Sequence, residues 1–250
     1  MSIKTAIVNG VATIEIARPE KKNALTIAMY QAMADALNAA REDAGVRAVL
    51  IAGQPGVFTS GNDIEDFMSR PPGQGSEGLD SPVFRFMQAL FEFDKPVVAA
   101  VTGAAIGIGT TMLLHCDLVY VADDARLAMP FVSLGLVPEA ASSLIAPRLL
   151  GHTRAFALLV MGQALNAADA KSAGLVNMVV PSDAVETEAM KAAAAIAALP
   201  PQAVLASRRL MRGEPDEIIA RIDAEAEQFK ARLQSSEARA AFEAFMKRKR

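Results

Sequence analysis

The chain opens on two short apolar runs, Ala6-Ile7-Val8 and Val11-Ala12-Thr13-Ile14, separated only by Asn9-Gly10. Both separating residues tolerate positive φ, so the pattern predicts a β-hairpin with a tight turn. After the polar turn Arg18-Pro19-Glu20-Lys21-Lys22-Asn23, Thr26 is placed to cap a helix. Its apolar positions Tyr30, Met33 and Leu37 recur at three and four, and it ends near Gly45. Val46 to Ala52, stopped by Gly53, and Val97 to Val101, entered after Pro96, read as short buried strands. Strands alternating with helices predict an α/β fold.

From Pro96 to Cys116 the chain carries no formal charge, which raises the question of a membrane span. Pro96, Gly103, Gly107 and Gly109 punctuate this stretch, and Thr102, Thr110 and Thr111 are polar. A buried strand, a glycine turn and a buried helix fit it better, and no membrane association is expected. The N-terminus has no charged region leading into an apolar run, so it reads as mature structure and the expected location is cytoplasmic. The Pro- and Gly-rich segment from Arg70 to Ser81 predicts a loop, either a tolerated surface insertion or a mobile lid. Beyond Gly174 alanine-rich helices dominate, broken at Pro200-Pro201 and at Gly213-Glu214-Pro215. Residues 1–199 are therefore expected to form the core and 200–250 a helical appendage. Ile218, Ile222, Phe229 and Leu233 share one helical face there, which predicts burial against another subunit.

With 52% hydrophobic and 21% charged residues the chain has ample material for a core. Twenty-five basic against 28 acidic side chains give a net charge of −3, too weak to suggest a nucleic-acid partner. A single cysteine, Cys116, excludes an internal disulfide framework and a multi-cysteine zinc site, and His115 and His152 lack metal-ligand spacing, so no metal site is expected. The basic tail Lys247-Arg248-Lys249-Arg250 is either a solvated helix end or a contact for a phosphate. The dinucleotide fingerprint that starts at Gly107 and Gly109 fails at Met112, and neither a phosphate-binding P-loop nor a GxSxG elbow is present. What remains is a glycine-rich strand-to-helix junction between Val97 and Met112, and a second of the same character at Phe58-Thr59-Ser60-Gly61-Asn62-Asp63-Ile64. Peptide N–H groups at such junctions point outward with the positive end of a helix dipole behind them. Two of them can converge on one developing oxyanion, or each can be a tight turn and nothing more.

Three segments in this order and spacing resemble the crotonase (enoyl-CoA hydratase/isomerase) superfamily. They are Arg18-Pro19-Glu20-Lys21-Lys22-Asn23-Ala24-Leu25, the Phe58 to Ile64 segment, and Lys95-Pro96-Val97 through Gly109. Cys116-Asp117-Leu118-Val119 and Leu134-Gly135-Leu136-Val137-Pro138 extend the similarity over essentially the whole chain. The resemblance implies a spiral of ββα units that holds an acyl-CoA thioester, with the C-terminal helices packing between subunits of a trimer or dimer of trimers. It implies that the peptide N–H groups of Ser60 and Ile108 grip the thioester oxygen. Lys22 and Ala24, with Ser60, Gly61, Asn62, Asp63 and Ile64, then stand where relatives hold coenzyme A, and Gly107, Ile108 and Phe131 join them as residues that bind the substrate. Read from the residues alone, Lys22 is equally a solvated surface lysine and Asp63 is first a helix cap.

The hydratases of this superfamily share the activation of water between two glutamates. Here Thr111 stands at the first position and Phe131, after Pro130, at the second. A different carboxylate, Glu139, lies in Leu134-Gly135-Leu136-Val137-Pro138-Glu139-Ala140-Ala141-Ser142-Ser143, a segment similar to that of peroxisomal-type Δ3,Δ2-enoyl-CoA isomerases. Moving a double bond needs one base, which takes a proton from C2 and returns one at C4. The resemblance thus implies that Glu139 is that base, with apolar Phe131, Leu134 and Leu136 raising its pKa and no cofactor beyond the coenzyme A of the substrate. As a sequence feature alone, Pro138-Glu139 also reads as a first helical turn. The alternatives are hydration, dienoyl-CoA isomerisation, thioester hydrolysis, or acyl-CoA binding without chemistry. His115 and Cys116 are expected in packed core.

Overall fold

The computed structural model describes residues 2–68, 81–213 and 215–248. The loop expected from Arg70 falls outside them except for Ser81, as do Glu214 and the last two residues of the basic tail. The predicted hairpin is present as β1 (Ile3–Val8) and β2 (Val11–Ile16), paired from Val8 with Val11 to Ile3 with Ile16. Asn9 and Gly10 turn it at φ 50° and 79°. Helix α1 (Ile27–Glu42) starts where Thr26 Oγ1 accepts the Met29 N–H at 3.3 Å, and it buries Tyr30, Met33 and Leu37. It ends at Glu42, three residues before Gly45, with Asp43 as its C-terminal cap.

The rest of the core is a spiral in which consecutive strands alternate between two sheets. After α1 come β3 (Ala48–Ala52) and β4 (Val57–Thr59), then α2 (Ile64–Met68) and α3 (Pro82–Phe91). The next turn is β5 (Val97–Val101), β6 (Ala104–Ile106) and α4 (Ile108–Thr111). The third is β7 (Leu118–Ala122) and β8 (Arg126–Ala128), followed by α5 (Ser142–Leu150) and α6 (His152–Leu159). The larger sheet runs β1-β2-β3-β5-β7, and the smaller runs β4-β6-β8, all pairs parallel except the opening hairpin. Short β9 (Leu165–Asn166) closes the smaller sheet antiparallel to β8; after α7 (Ala167–Ser172), β10 (Met178–Val180) closes the larger one beside β7. Strands β3 and β5 are buried at every position, which is why their sequences are unbroken apolar runs rather than alternating ones. Helix α8 (Val185–Ala197) lies across β3, β5 and β7 and buries Ala189 and Ala193, small residues that allow close approach.

Three helices complete the chain: α9 (Pro201–Arg212), α10 (Asp216–Leu233) and α11 (Ser236–Arg248). Arg208 ties α9 to the core, its Nε donating to Asp117 Oδ2 at 2.8 Å and its Nη1 to Phe93 O. The face expected to be buried partly against another subunit is covered only in part within the chain, and Ile218, Phe229 and Leu233 stay half-exposed. Ile222 is buried, Phe229 and Leu233 pack against the core, and α10 meets α5.

Asn23 joins the polar turn after β2 to β4. It is fully buried in the left-handed region at φ 54°, which asparagine tolerates better than most residues. Its Oδ1 accepts the Arg18 N–H at 2.7 Å, its Nδ2 donates to Val57 O at 3.0 Å and Phe58 O at 3.1 Å, and its carbonyl accepts Thr59 Oγ1 at 2.6 Å. Asn23→Ala keeps the carbonyl bond to Thr59 but leaves the Arg18 N–H and the Val57 and Phe58 carbonyls without their side-chain partner, so a loss on the order of 2–4 kcal/mol is expected. Urea denaturation should show a lower midpoint at unchanged slope.

Candidate active site

Because β4 and β6 are parallel neighbours, the turns that follow them lie side by side. They touch through glycines. A Cβ on Gly61 would stand 3.0 Å from Ile106 O, and one on Gly109 would stand 2.5 Å from Thr59 Cγ2. Which N–H groups these turns leave free follows from their hydrogen bonds. After β4, the Ser60 N–H donates to Lys22 O at 3.0 Å, Gly61 N–H to Thr59 Oγ1 at 3.1 Å and Asp63 N–H to Leu25 O at 2.9 Å. Leu25 also donates to Gly61 O, making a parallel bridge opposite Asn62. In such a bridge the partners come from the residues on either side, so the N–H of Asn62 itself points away from Leu25. Among the described residues it has no acceptor. The expectation for Ser60 is thus corrected: its N–H is spent on Lys22, and the free donor is two residues on, at Asn62.

After β6, Gly107 adopts φ 59° and ψ −120°, a conformation closed to residues with a side chain. Its N–H donates to Ala128 O, and its carbonyl accepts from Thr110 and Thr111. The N–H groups of Ile108 and Gly109 are left without acceptors among the described residues, as expected for the first turn of a helix. A Cβ on Gly107 would meet nothing within 4 Å, so the junction borders open space.

Glu139 does not begin a helix, for α5 starts three residues later at Ser142. It stands in a turn that continues through Ala140 and Ala141, both left-handed at φ 58° and 56°. The side chain is 7% exposed and its Oε1 is buried without a hydrogen-bond partner. Burial first, and the nearby Glu225 carboxylate second, push its pKa up to about 8. Glu225, on α10, was not anticipated from sequence. Tyr30, fully buried on α1, donates its hydroxyl to Asn62 Oδ1. Burial, and then the charge of Glu139, raise the tyrosine pKa well above its ordinary value. Glu139, Tyr30 and Asn62 therefore share one neighbourhood.

The other expected site residues divide between frame and surface. Asp63 spends both oxygens internally: Oδ1 accepts from Glu65 and Asp66 at the start of α2, and Oδ2 pairs with Arg18 Nη1 at 2.7 Å. Burial acts upward on its pKa, but Arg18 and these N–H groups outweigh it and hold the carboxyl low. Its side chain has the place of a cap, the reading favoured from the residues alone. Lys22 is exposed at φ 51° and Ala24 is buried, Ile64 opens α2, and Phe131 is core. Thr111 is buried, its hydroxyl 3.4 Å from Ile108 O, so neither hydratase position carries a carboxylate. Half-buried Cys116 has its thiol pushed up to about 12 by burial and then Asp117. His115 is buried and neutral, its pKa pushed down to about 4 by burial, and its Nε2 lies 2.8 Å from Ala140 O. Among the described residues no cluster of His, Cys, Asp and Glu suits a metal ion, and no single helix is long and apolar enough to cross a membrane.

Strands alternating between two sheets, with free N–H groups at two adjacent junctions, define a crotonase-type α/β protein. The chain belongs to the enoyl-CoA hydratase/isomerase family, whose sequence model matches residues 6–250. Rat enoyl-CoA delta isomerase 2 is 36% identical over 244 residues, covering 96% of this chain; the chain spans about three fifths of that relative's length, 62%. A probable enoyl-CoA hydratase from Bacillus subtilis is 30% identical over 100% of this chain and 97% of its own. The solved structure of Pseudomonas aeruginosa OdaA, 49% identical, superposes with a TM-score of 0.94 over 98% of both chains.

A carboxyl whose folded pKa lies above its unfolded value contributes most below the unfolded pKa and loses that contribution as pH rises through the folded one. For Glu139 the window runs from the ordinary 4.5 to about 8. Glu139→Gln should match the wild type in stability below this window and exceed it increasingly up to about pH 8, with a constant gap above. Urea midpoints at pH 4.5, 6.5 and 9 check this, and a gap that fails to grow contradicts a buried, protonated Glu139.

Proposed function

We propose that this protein shifts the double bond of an enoyl-CoA from the 3 to the 2 position. The observation that carries the reading is Glu139, a buried carboxyl that keeps an unpartnered oxygen and shares the neighbourhood of Tyr30 with Asn62, one of two adjoining junctions with free peptide N–H groups. In this reading the thioester oxygen sits between the N–H groups of Asn62 and Ile108. Ionised Glu139 removes a proton from C2, the electrons pass into a dienolate held by those two donors, and the protonated Glu139 returns the proton at C4. The starting carboxylate is regenerated, so no net proton and no redox equivalent is exchanged.

A carboxyl with a pKa near 8 suits both halves of this cycle, being strong enough as a base and acidic enough to give the proton back. Tyr30 contributes indirectly. By donating to Asn62 Oδ1 it fixes the amide with Nδ2 on the other side. The name of the rat relative supports isomerisation, whereas that of the Bacillus relative favours hydration. Thr111 and Phe131 weigh against hydration, because neither can activate water or supply its proton. A homotrimer or dimer of trimers is part of the same proposal; Leu210 and Met211 of α9, each 86% exposed, are the apolar surface such an assembly would cover.

Glu139→Gln keeps the shape and removes the base, so turnover of a 3-enoyl-CoA should fall by roughly 10²–10⁴ with KM little changed. The wild-type kcat/KM should climb about tenfold per pH unit and level off near the Glu139 pKa of about 8. Hydration of a 2-enoyl-CoA should be slow in both proteins. Efficient hydration, or isomerisation undiminished in Glu139→Gln, returns the choice to the other activities of the family.

A further inference from the structure

We propose that Glu225, carried by the C-terminal helix α10, is a positioning residue that clamps the Ala140-Ala141 turn and so sets where the Glu139 carboxyl stands. The inference rests on the reading of Glu139 as the base, and adds what holds that base in place.

Two consecutive alanines in the left-handed region are a strained arrangement, because each Cβ crowds its own backbone, and such strain persists only where the surroundings impose it. Here the imposing contacts come from two sides. Glu225 Oε2 accepts the Ala141 N–H at 2.6 Å and its Oε1 accepts the Ser143 N–H at 2.9 Å. Neutral His115 donates its Nε2–H to Ala140 O at 2.8 Å. One turn earlier on α10, Arg221 Nη1 donates to Ser143 Oγ at 3.2 Å, so two side chains of that helix bind the same start of α5. Ala140, Ala141 and Glu225 are all buried, which keeps water from taking over these bonds.

Glu225 also acts through its charge. The groups facing Glu139 are Tyr30 from α1 and Glu225 from α10; His115 reaches the turn only as a neutral donor, and Arg221 faces Glu225 rather than Glu139. Glu225 thus has a geometric effect, through Ala141 and Ser143, and an electrostatic one, through space. A residue that merely caps α5 would have neither effect on Glu139.

The test uses the full chain with Glu225→Gln, which keeps the side-chain shape but carries an amide in place of one acceptor oxygen. Three quantities are read: kcat and KM with a 3-enoyl-CoA, the pH of half-maximal rate, and the titration of Glu139 by ¹³C carboxyl NMR without substrate. We expect kcat to fall about tenfold or more at a KM within about twofold of wild type. The Glu139 titration midpoint should move down by about half a unit or more once the neighbouring charge is gone. Adding Ala141→Gly should restore kcat, since glycine holds the turn unaided, while leaving the lowered midpoint as it is. If Glu225→Gln does not fold, the double variant carries the measurement of the midpoint. A wild-type kcat together with a wild-type midpoint overturns the clamp, as does a kcat that glycine fails to restore in a folded protein. Loss of turnover in Glu139→Gln alongside an unmoved Glu139 midpoint in Glu225→Gln sinks the clamp and spares the isomerase reading; turnover retained in Glu139→Gln alongside a lowered midpoint does the reverse.

Discussion

Two carboxyl groups are buried near one another at the start of α5, and the fold treats them oppositely. Burial pushes both pKa values upward. Glu225 is then drawn back by the Ser143 hydroxyl, by the N–H groups of Ser143 and Ala141 and by Arg221, whereas Glu139 Oε1 receives no hydrogen bond. The negative charge therefore settles on Glu225, and the proton on Glu139. Such a division of labour between neighbouring carboxyls, fixed by what each accepts rather than by residue type, is a general way to keep one of them usable as both base and acid near neutral pH. Everything else around the site follows from sustaining it: a strained turn, a buried tyrosine, and a C-terminal helix folded back onto α5.

The spiral explains why those parts can meet at all. Strands β3, β5 and β7 of the larger sheet each pass directly into one of the smaller sheet, so successive turns of the chain repeat at the spacing of parallel strands. The segments after β4 and β6 then become neighbours by construction, although more than forty residues of sequence separate them on a count of Asn62 against Ile108. Glycines at 61 and 109 let the two backbones approach where any side chain would hold them apart.

Local chemistry made much of this legible in advance. Asn9-Gly10 specifies its hairpin, Thr26 its helix cap, and the unbroken apolar runs at β3 and β5 their burial on both faces. The two glycine junctions and Glu139 were also visible as residue types in a pattern. What sequence did not reveal was set by contacts between distant segments. Ser60 and Asn62 look equivalent along the chain; only the bond from Ser60 to the Lys22 carbonyl, in a turn tied down by Asn23, decides which N–H is left over. Tyr30 was placed correctly on the apolar stripe of α1, yet periodicity registers its ring and is blind to its hydroxyl. Glu225 sits in a helix rich in charged residues, where one more glutamate carries no signal until α10 is seen against α5.

The bond from Glu225 to Ala141 also imposes an order on the protein's making. The sheets, the glycine junctions and Glu139 itself all precede α9 in the chain, so a nascent polypeptide holds nearly every element of the site well before α10 is synthesised. Until that helix emerges and docks, the turn bearing Glu139 lacks the carboxylate that holds its alanines. The surroundings of Glu139 are thus completed from the far end of the chain, and a polypeptide cut short before α10 keeps the sheets but lacks this contact.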